Sequence, residues 1–253
     1  MTSLPTNLLK FQAPRFQAPR FKSAETPPQT YPSGIGDCPE INETPGKIIL
    51  ISGPSGVGKG TVINTLWKDD FVKANFTQVR SLKSRPARPG ELDNCESTFV
   101  SAEDFLREKA GNKLFQWAQI DGHWYGSRTA ELVAKLKSGL FPIFELAAQD
   151  AVKIKEKYPD KVVTVFLKPE DPEIQTLENR LIGRGTNSPE SIQERLRLAI
   201  EELKLKPQFD HIILSATGKV QESVNDILAI FRTLVAVHGP KNKTPADDPS
   251  KAA

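Results

Sequence analysis

The stretch from Lys47 to Thr61 constrains the fold more than any other: Lys-Ile-Ile-Leu-Ile-Ser-Gly-Pro-Ser-Gly-Val-Gly-Lys-Gly-Thr. Its apolar opening reads as a short buried strand. A glycine-rich turn follows, and then Val62, Ile63, Leu66 and Trp67 recur at helical spacing. Strand, small-residue turn and helix in that order suit an anion. The turn lets backbone N–H groups point inward, and the helix start adds unpaired donors and the positive end of its dipole. Gly53, Pro54, Ser55, Gly56, Val57 and Gly58 would cradle a nucleotide's phosphates, with Lys59 supplying a mobile positive charge. The strict pattern G-x-x-x-x-G-K-[ST] is missed by one residue, because Gly60 stands where a hydroxyl is expected. Thr61 follows it and is the candidate for meeting a magnesium ion.

A chain of 253 residues, 38% apolar and 26% charged, suits a soluble globular domain with polar ends. A net charge of +3 gives no reason to expect a nucleic-acid or membrane surface. The two cysteines, Cys38 and Cys95, have neither metal spacing nor a disulfide framework, which points to a reducing, cytoplasmic setting. No run reaches the length of a membrane span, and the opening residues do not read as a signal peptide.

Residues 1–45 are expected to be a disordered tail, because prolines from Pro5 to Pro45 punctuate them without apolar periodicity. Phe11-Gln12-Ala13-Pro14-Arg15 is repeated at once as Phe16-Gln17-Ala18-Pro19-Arg20, which is too little for a repeat fold. The first 24 residues share a basic, acid-free composition with transit peptides, but the prolines oppose the amphipathic helix such peptides use. The tail leaves room for a protein partner and names none.

Residues 46–238 read as one domain of alternating strands and helices. Apolar runs at Phe141–Leu146, Val162–Leu167 and His211–Leu214 predict strands. Helical patterns lie at 128–138, 148–157, 172–182, 189–205 and 220–235. Ser101 opens a capping-box-like start, Gly139 stands at a helix end, and Pro172 and Pro189 follow the candidate caps Asp171 and Ser188. The fold class is therefore α/β, a largely parallel sheet covered by helices on both faces. Residues 239–253 read as a second disordered tail.

Three further clusters carry chemistry. Arg85 and Arg88, stiffened by prolines in Ser81-Leu82-Lys83-Ser84-Arg85-Pro86-Ala87-Arg88-Pro89-Gly90-Glu91, can present two guanidinium forks to one phosphate. Between Phe115 and Ser127, glycines flanking His123, Trp124 and Tyr125 suggest a tight hairpin that delivers Tyr125 to a cleft. Arg184 lies between glycines at a helix junction, with Arg195 on the next helix, as suits a flap closing over phosphates.

Taken together these residues resemble guanylate kinase, from about Lys47 to about Val235. The resemblance implies a P-loop fold with a small GMP-binding subdomain at about 79–128 and a helical lid at about 183–198. It implies ATP-dependent phosphoryl transfer to GMP or dGMP, with Mg2+ accompanying ATP. Lys59, Arg184 and Arg195 are then catalytic, and Gly53 to Thr61 bind ATP. Ser81, Arg85, Arg88, Gln116, Tyr125, Ser127 and Glu145 bind GMP. The sequence departs from the family mostly at the acceptor: Ser97 replaces a tyrosine, Gln116 a glutamate, Ala147 the second acid of an Asp-x-Asp stretch and Asp150 a small glycine. On the adenine side Ser215-Ala216 replaces Asn-Asp. Alternatives are a nucleoside monophosphate kinase of altered base preference and a non-catalytic guanylate-kinase-like binding module.

Overall fold

The computed structural model describes residues 31–87, 91, 97–183, 185 and 188–239. In chain order the strands are β1 (Ser33–Ile35), β2 (Ile48–Ser52), β3 (Phe76–Gln78), β4 (Ser81–Lys83), β5 (Ser97–Phe99), β6 (Leu114–Ile120), β7 (His123–Arg128), β8 (Phe141–Glu145), β9 (Val162–Pro169) and β10 (His211–Ser215). The helices are α1 (Lys59–Leu66), α2 (Asp70–Asn75), α3 (Ala102–Ala110), α4 (Thr129–Lys137), α5 (Ala148–Lys157), α6 (Glu173–Gly183), α7 (Pro189–Lys204) and α8 (Val220–His238).

One five-stranded sheet has the order β10-β9-β2-β8-β3, and all of its pairings are parallel. Its central strand β2 is buried along its whole length. Side chains alternate across a strand, and the two faces separate accordingly. Ile49 and Ile51 pack with Val62, Leu66, Leu177, Leu196 and Phe231 from α1, α6, α7 and α8. Ile48 and Leu50 pack on the other face with Leu132, Leu136, Ala151 and Ile154 from α4 and α5. This is the doubly covered parallel sheet that the alternating pattern predicts.

A second sheet has the order β1-β6-β7-β4-β5 and is mostly antiparallel. Its hairpin β6–β7 turns at Asp121 and Gly122, with φ of 51° and 77°. Those two left-handed residues match the right-handed twist of the flanking strands. Leu82, Phe105 and Leu114 form a small core beneath this sheet.

Local signals behave as their chemistry requires. Ser101 Oγ accepts from Asp104 N at 3.0 Å at the start of α3, and Ser188 Oγ accepts from Ser191 N at 3.3 Å at the start of α7. Gly139 takes φ 78° just after α4. Helix α6 begins at Glu173, one residue later than a first-turn Pro172 requires, and the Pro172 carbonyl accepts from Thr176 N at 3.0 Å. Helix α8 continues to His238, beyond the expected end at 235.

The expectation of a structureless tail through residue 45 is corrected for residues 31–45. Strand β1 pairs with β6, a 3-10 turn covers Pro39–Glu43, and Cys38 and Ile41 are buried beside Phe115 and Tyr158. Prolines and glycines do suit this segment to an irregular path, but a few spaced apolar residues suffice to anchor it. Residues 1–30 and 240–253 lie outside the described residues. Among the described residues no helix is long and apolar enough to cross a membrane.

Candidate active site

The phosphate loop leaves the carboxyl end of β2 and enters α1 through Gly58, whose φ of 105° lies in the left-handed region that favours glycine. The loop is held from several sides. Lys59 Nζ donates to the carbonyls of Gly53 at 2.5 Å and Pro54 at 3.4 Å. The Val57 carbonyl accepts from Arg180 Nη1 at 2.9 Å and from Ser215 Oγ at 2.7 Å. Arg180 Nη2 also donates to the Ser215 carbonyl at 2.7 Å, so α6, β10 and the loop meet at one guanidinium. Burial pushes the Arg180 pKa down, and the Glu170 charge partly opposes this.

Helix α7 reaches the loop with two side chains from one face. Arg195 Nη1 donates to Ser55 Oγ at 3.2 Å. Seven residues on, Glu202 Oε1 accepts from Ala148 N at 3.5 Å, at the start of α5. Ala147 gives that helix no side-chain cap, so the carboxylate at its positive end comes from α7 instead. Burial pushes the Glu202 carboxyl up. The Lys59 charge and the Ala148 and Ser55 backbone N–H groups act against that rise.

Between the two sheets lies a cavity of about 300 Å³. Ser81, Gln116, Ser127 and Glu145 line it, as does Ser97, and Gly60 borders it from the first turn of α1. A Cβ at Gly60 would meet nothing within 4 Å, so the missing hydroxyl there leaves open space. Gln116 Nε2 donates to Ser127 Oγ at 3.3 Å, and Ser127 is buried. Lys83, Asn64, Trp67 and Gln78 also line the cavity. The Trp67 indole Nε1 is buried without a hydrogen-bond partner among the described residues.

Arg85 stands beside the cavity and not in its wall. Its Nη1 and Nη2 form a two-pronged pair with Glu91, each bond 2.6 Å long, and Lys83 Nζ approaches the same carboxylate at 3.5 Å. That pairing raises the Arg85 pKa further, with a smaller contribution from the Tyr125 hydroxyl. Arg85 Nε is buried with no partner among the described residues. Tyr125 lies opposite Lys83 on the neighbouring strand.

Similarity to known proteins follows the same lines. The family model described as Guanylate kinase matches residues 45–234. The chain belongs to the guanylate kinase family. It is 36% identical to a guanylate kinase of Streptococcus agalactiae serotype III over 170 residues, covering 67% of this chain and 79% of that protein. It is 34% identical to a guanylate kinase of a Synechococcus species over 209 residues, 83% of this chain and 92% of that protein. A crystal structure of guanylate kinase from Anaplasma phagocytophilum superposes with a TM-score of 0.57 at 26% identity, covering 75% of this chain and 86% of that one.

Family membership gives the geometry its order. Of the residues matched to the family, the structure brings Ser81, Gln116, Ser127 and Glu145 to one cavity, and Lys59 and Arg195 to the phosphate loop. Thr61 lies in the first turn of α1 and is exposed. Arg88 and Arg184 lie outside the described residues. Lys83, Trp67 and Glu202 also reach the site, and no motif singles them out. Lys83 stands in the Ser81–Glu91 stretch at a position no pattern specifies, Trp67 has the spacing of a helix-packing residue, and Glu202 is one of several charged residues of an amphipathic helix.

Proposed function

We propose that this chain transfers the γ-phosphoryl group of ATP to GMP or dGMP, giving ADP and GDP or dGDP. The observation that carries this reading is the position of Gly60. It stands in the first turn of α1, directly after the phosphate loop, and also borders the cavity lined by Ser81, Gln116 and Ser127, so the donor's phosphates and the acceptor's pocket adjoin. Membership of a family whose curated relatives are guanylate kinases supports the catalytic reading over that of a binding module.

ATP lays its β- and γ-phosphates along Gly53 to Gly58. Lys59 exchanges its carbonyl partners within the loop for phosphate oxygens, a short swing for a side chain already anchored there. The exposed Thr61 hydroxyl is a hard oxygen donor, which fits Mg2+ arriving on ATP and held largely by phosphate oxygens. When bound, that ion would supply charge neutralisation at the donor's phosphates. The acceptor's phosphate falls to Arg85, Arg88 and Tyr125, and its base to Ser81, Gln116 and Ser127. No side chain has to act as a base, because the attacking atom is a phosphate oxygen. Arg195, already on the loop through Ser55, and Arg184 supply positive charge to the transferring group. Catalysis is then alignment, charge neutralisation and exclusion of water.

The Gln116 carboxamide donates to Ser127, whereas a guanine edge asks for acceptors at N1–H and the N2 amine; the pocket therefore meets GMP with fewer acceptors than a carboxylate at position 116 would supply. We further read the protein as cytoplasmic, supported by the buried, unpaired Cys38 thiol. A coupled ADP-release assay against GMP, dGMP, AMP, UMP and CMP tests the kinase reading, with GMP and dGMP expected to lead. Tight GMP binding with no GDP formed from ATP and magnesium would refute the kinase reading.

A further inference from the structure

The segment Ser33–Cys38 precedes the residues 45–234 that match the family model, yet it joins both parts of the candidate site. On one side it extends the acceptor sheet, with Ser33, Gly34 and Ile35 opposite Ala118, Trp117 and Gln116. The ladder is prolonged by Gln119 N on the Pro32 carbonyl at 2.8 Å and Gly36 N on the Phe115 carbonyl at 2.9 Å. A Cβ at Gly34 would come within 2.4 Å of the Trp117 ring, so only a glycine lets the segment lie this close.

On its other side the segment grips α5, which packs on the parallel sheet. Ser33 Oγ donates to Asp150 Oδ1 at 2.7 Å. Lys157 Nζ and Tyr158 Oη donate to the Gly36 carbonyl at 3.0 and 3.2 Å. Tyr158 Oη also accepts from Cys38 N at 3.0 Å. Asp150 is one of the positions where this sequence departs from its family, an acid where a small glycine is usual. Its carboxylate has found a partner in a segment outside the family model.

The cavity lies between the two sheets, so the spacing of the sheets sets the spacing of its walls. Gln116 and Ser127 stand on one wall, and Gly60 and Glu145 on the other. We propose that Ser33 and Asp150 are positioning residues for the acceptor: through the Ser33–Cys38 segment they hold β6, and with it Gln116, at a fixed distance from the phosphate loop. This rests on reading that cavity as the acceptor site. A tie already made in the free protein reduces the ordering that acceptor binding would otherwise require, so its loss is read in acceptor affinity.

The test is steady-state kinetics on the full chain for Ser33→Ala, Asp150→Ala and the double variant, with Asp150→Asn as a milder second change. The loss of one hydrogen bond to a carboxylate predicts KM for GMP raised about five-fold in each single variant. The double variant should be no worse than either single, since the two side chains act through each other. KM for ATP should stay within about two-fold, and Ser33→Thr, which keeps the hydroxyl, should restore KM for GMP. Should thermal stability fall while KM for GMP stays put, or should both KM values rise together, the segment is a staple and the proposal is overturned. Gln116→Ala separates the two ideas. If it shifts KM for GMP and Ser33→Ala does not, the positioning role alone fails. If Gln116→Ala shifts nothing, the acceptor-site reading fails and the positioning role with it.

Discussion

Gln116 donates a hydrogen bond to Ser127 across adjacent strands, 3.3 Å from Nε2 to Oγ, in the wall of the cavity between the two sheets. A carboxylate at position 116 could not donate that bond. It would accept one from the Ser127 hydroxyl and still offer lone pairs to a ligand.

Gln116→Glu should therefore tighten GMP binding. Relief of one poorly matched buried donor is worth about 1–3 kcal/mol, or roughly one to two decades in Kd. Isothermal titration with GMP checks this, and an unchanged Kd would refute the role given to the carboxamide.

Lys59→Ala should lower phosphoryl transfer by at least about 100-fold, the scale of losing one charge-stabilising donor at a reacting group. GMP binding should change little, since Lys59 belongs to the donor loop and not to the cavity wall. ADP release and GMP titration on the same sample separate the two effects.

Arg180 ties α6 and β10 to the Val57 carbonyl of the phosphate loop. Arg180→Met keeps much of the stem and leaves those carbonyls short of a donor, at a cost of about 1–3 kcal/mol. The expected result is a lower melting temperature together with a higher KM for ATP. An unaltered KM for ATP would mean that the loop holds its shape without this arginine.

Glu202 gives a pH-dependent prediction. Burial raises its carboxyl above the ordinary value of 4.5. In the window between that value and the raised one, the native state binds more protons than the unfolded state, so stability falls as pH rises through it. Glu202→Gln removes this titration. The variant should gain stability relative to the native sequence at neutral pH, and the gain should shrink as pH falls below the window. Melting curves across that range test the sign.

The long elements were legible because their signals are local. Strands β2, β8, β9 and β10 are apolar runs, and α4, α5, α7 and α8 show an apolar stripe. The three-residue strands β1, β3, β4 and β5 are too short to show a period of two, so only their partners define them. Residues 31–45 read as a tail because proline and glycine describe their path while Ile35, Cys38 and Ile41 describe their burial, and the latter depends on β6 and α5. At the site, most residues named from motifs have a spacing fixed by a loop or a hairpin, whereas Glu145 on β8 and Arg195 on α7 are named through the family resemblance. Lys83, Trp67 and Glu202 come to it through packing between elements distant in sequence, which no local pattern encodes.

Strand β1 also covers the outer edge of β6. A version of this protein starting at residue 45, where the family model begins, would bare that edge along with the apolar surface beneath Cys38 and Ile41. A long strand with unpaired N–H and C=O groups is a template for another chain. Self-association through β6 is thus the hazard of trimming the chain to its family boundary, and the first dozen residues before that boundary work as an edge guard for the whole domain.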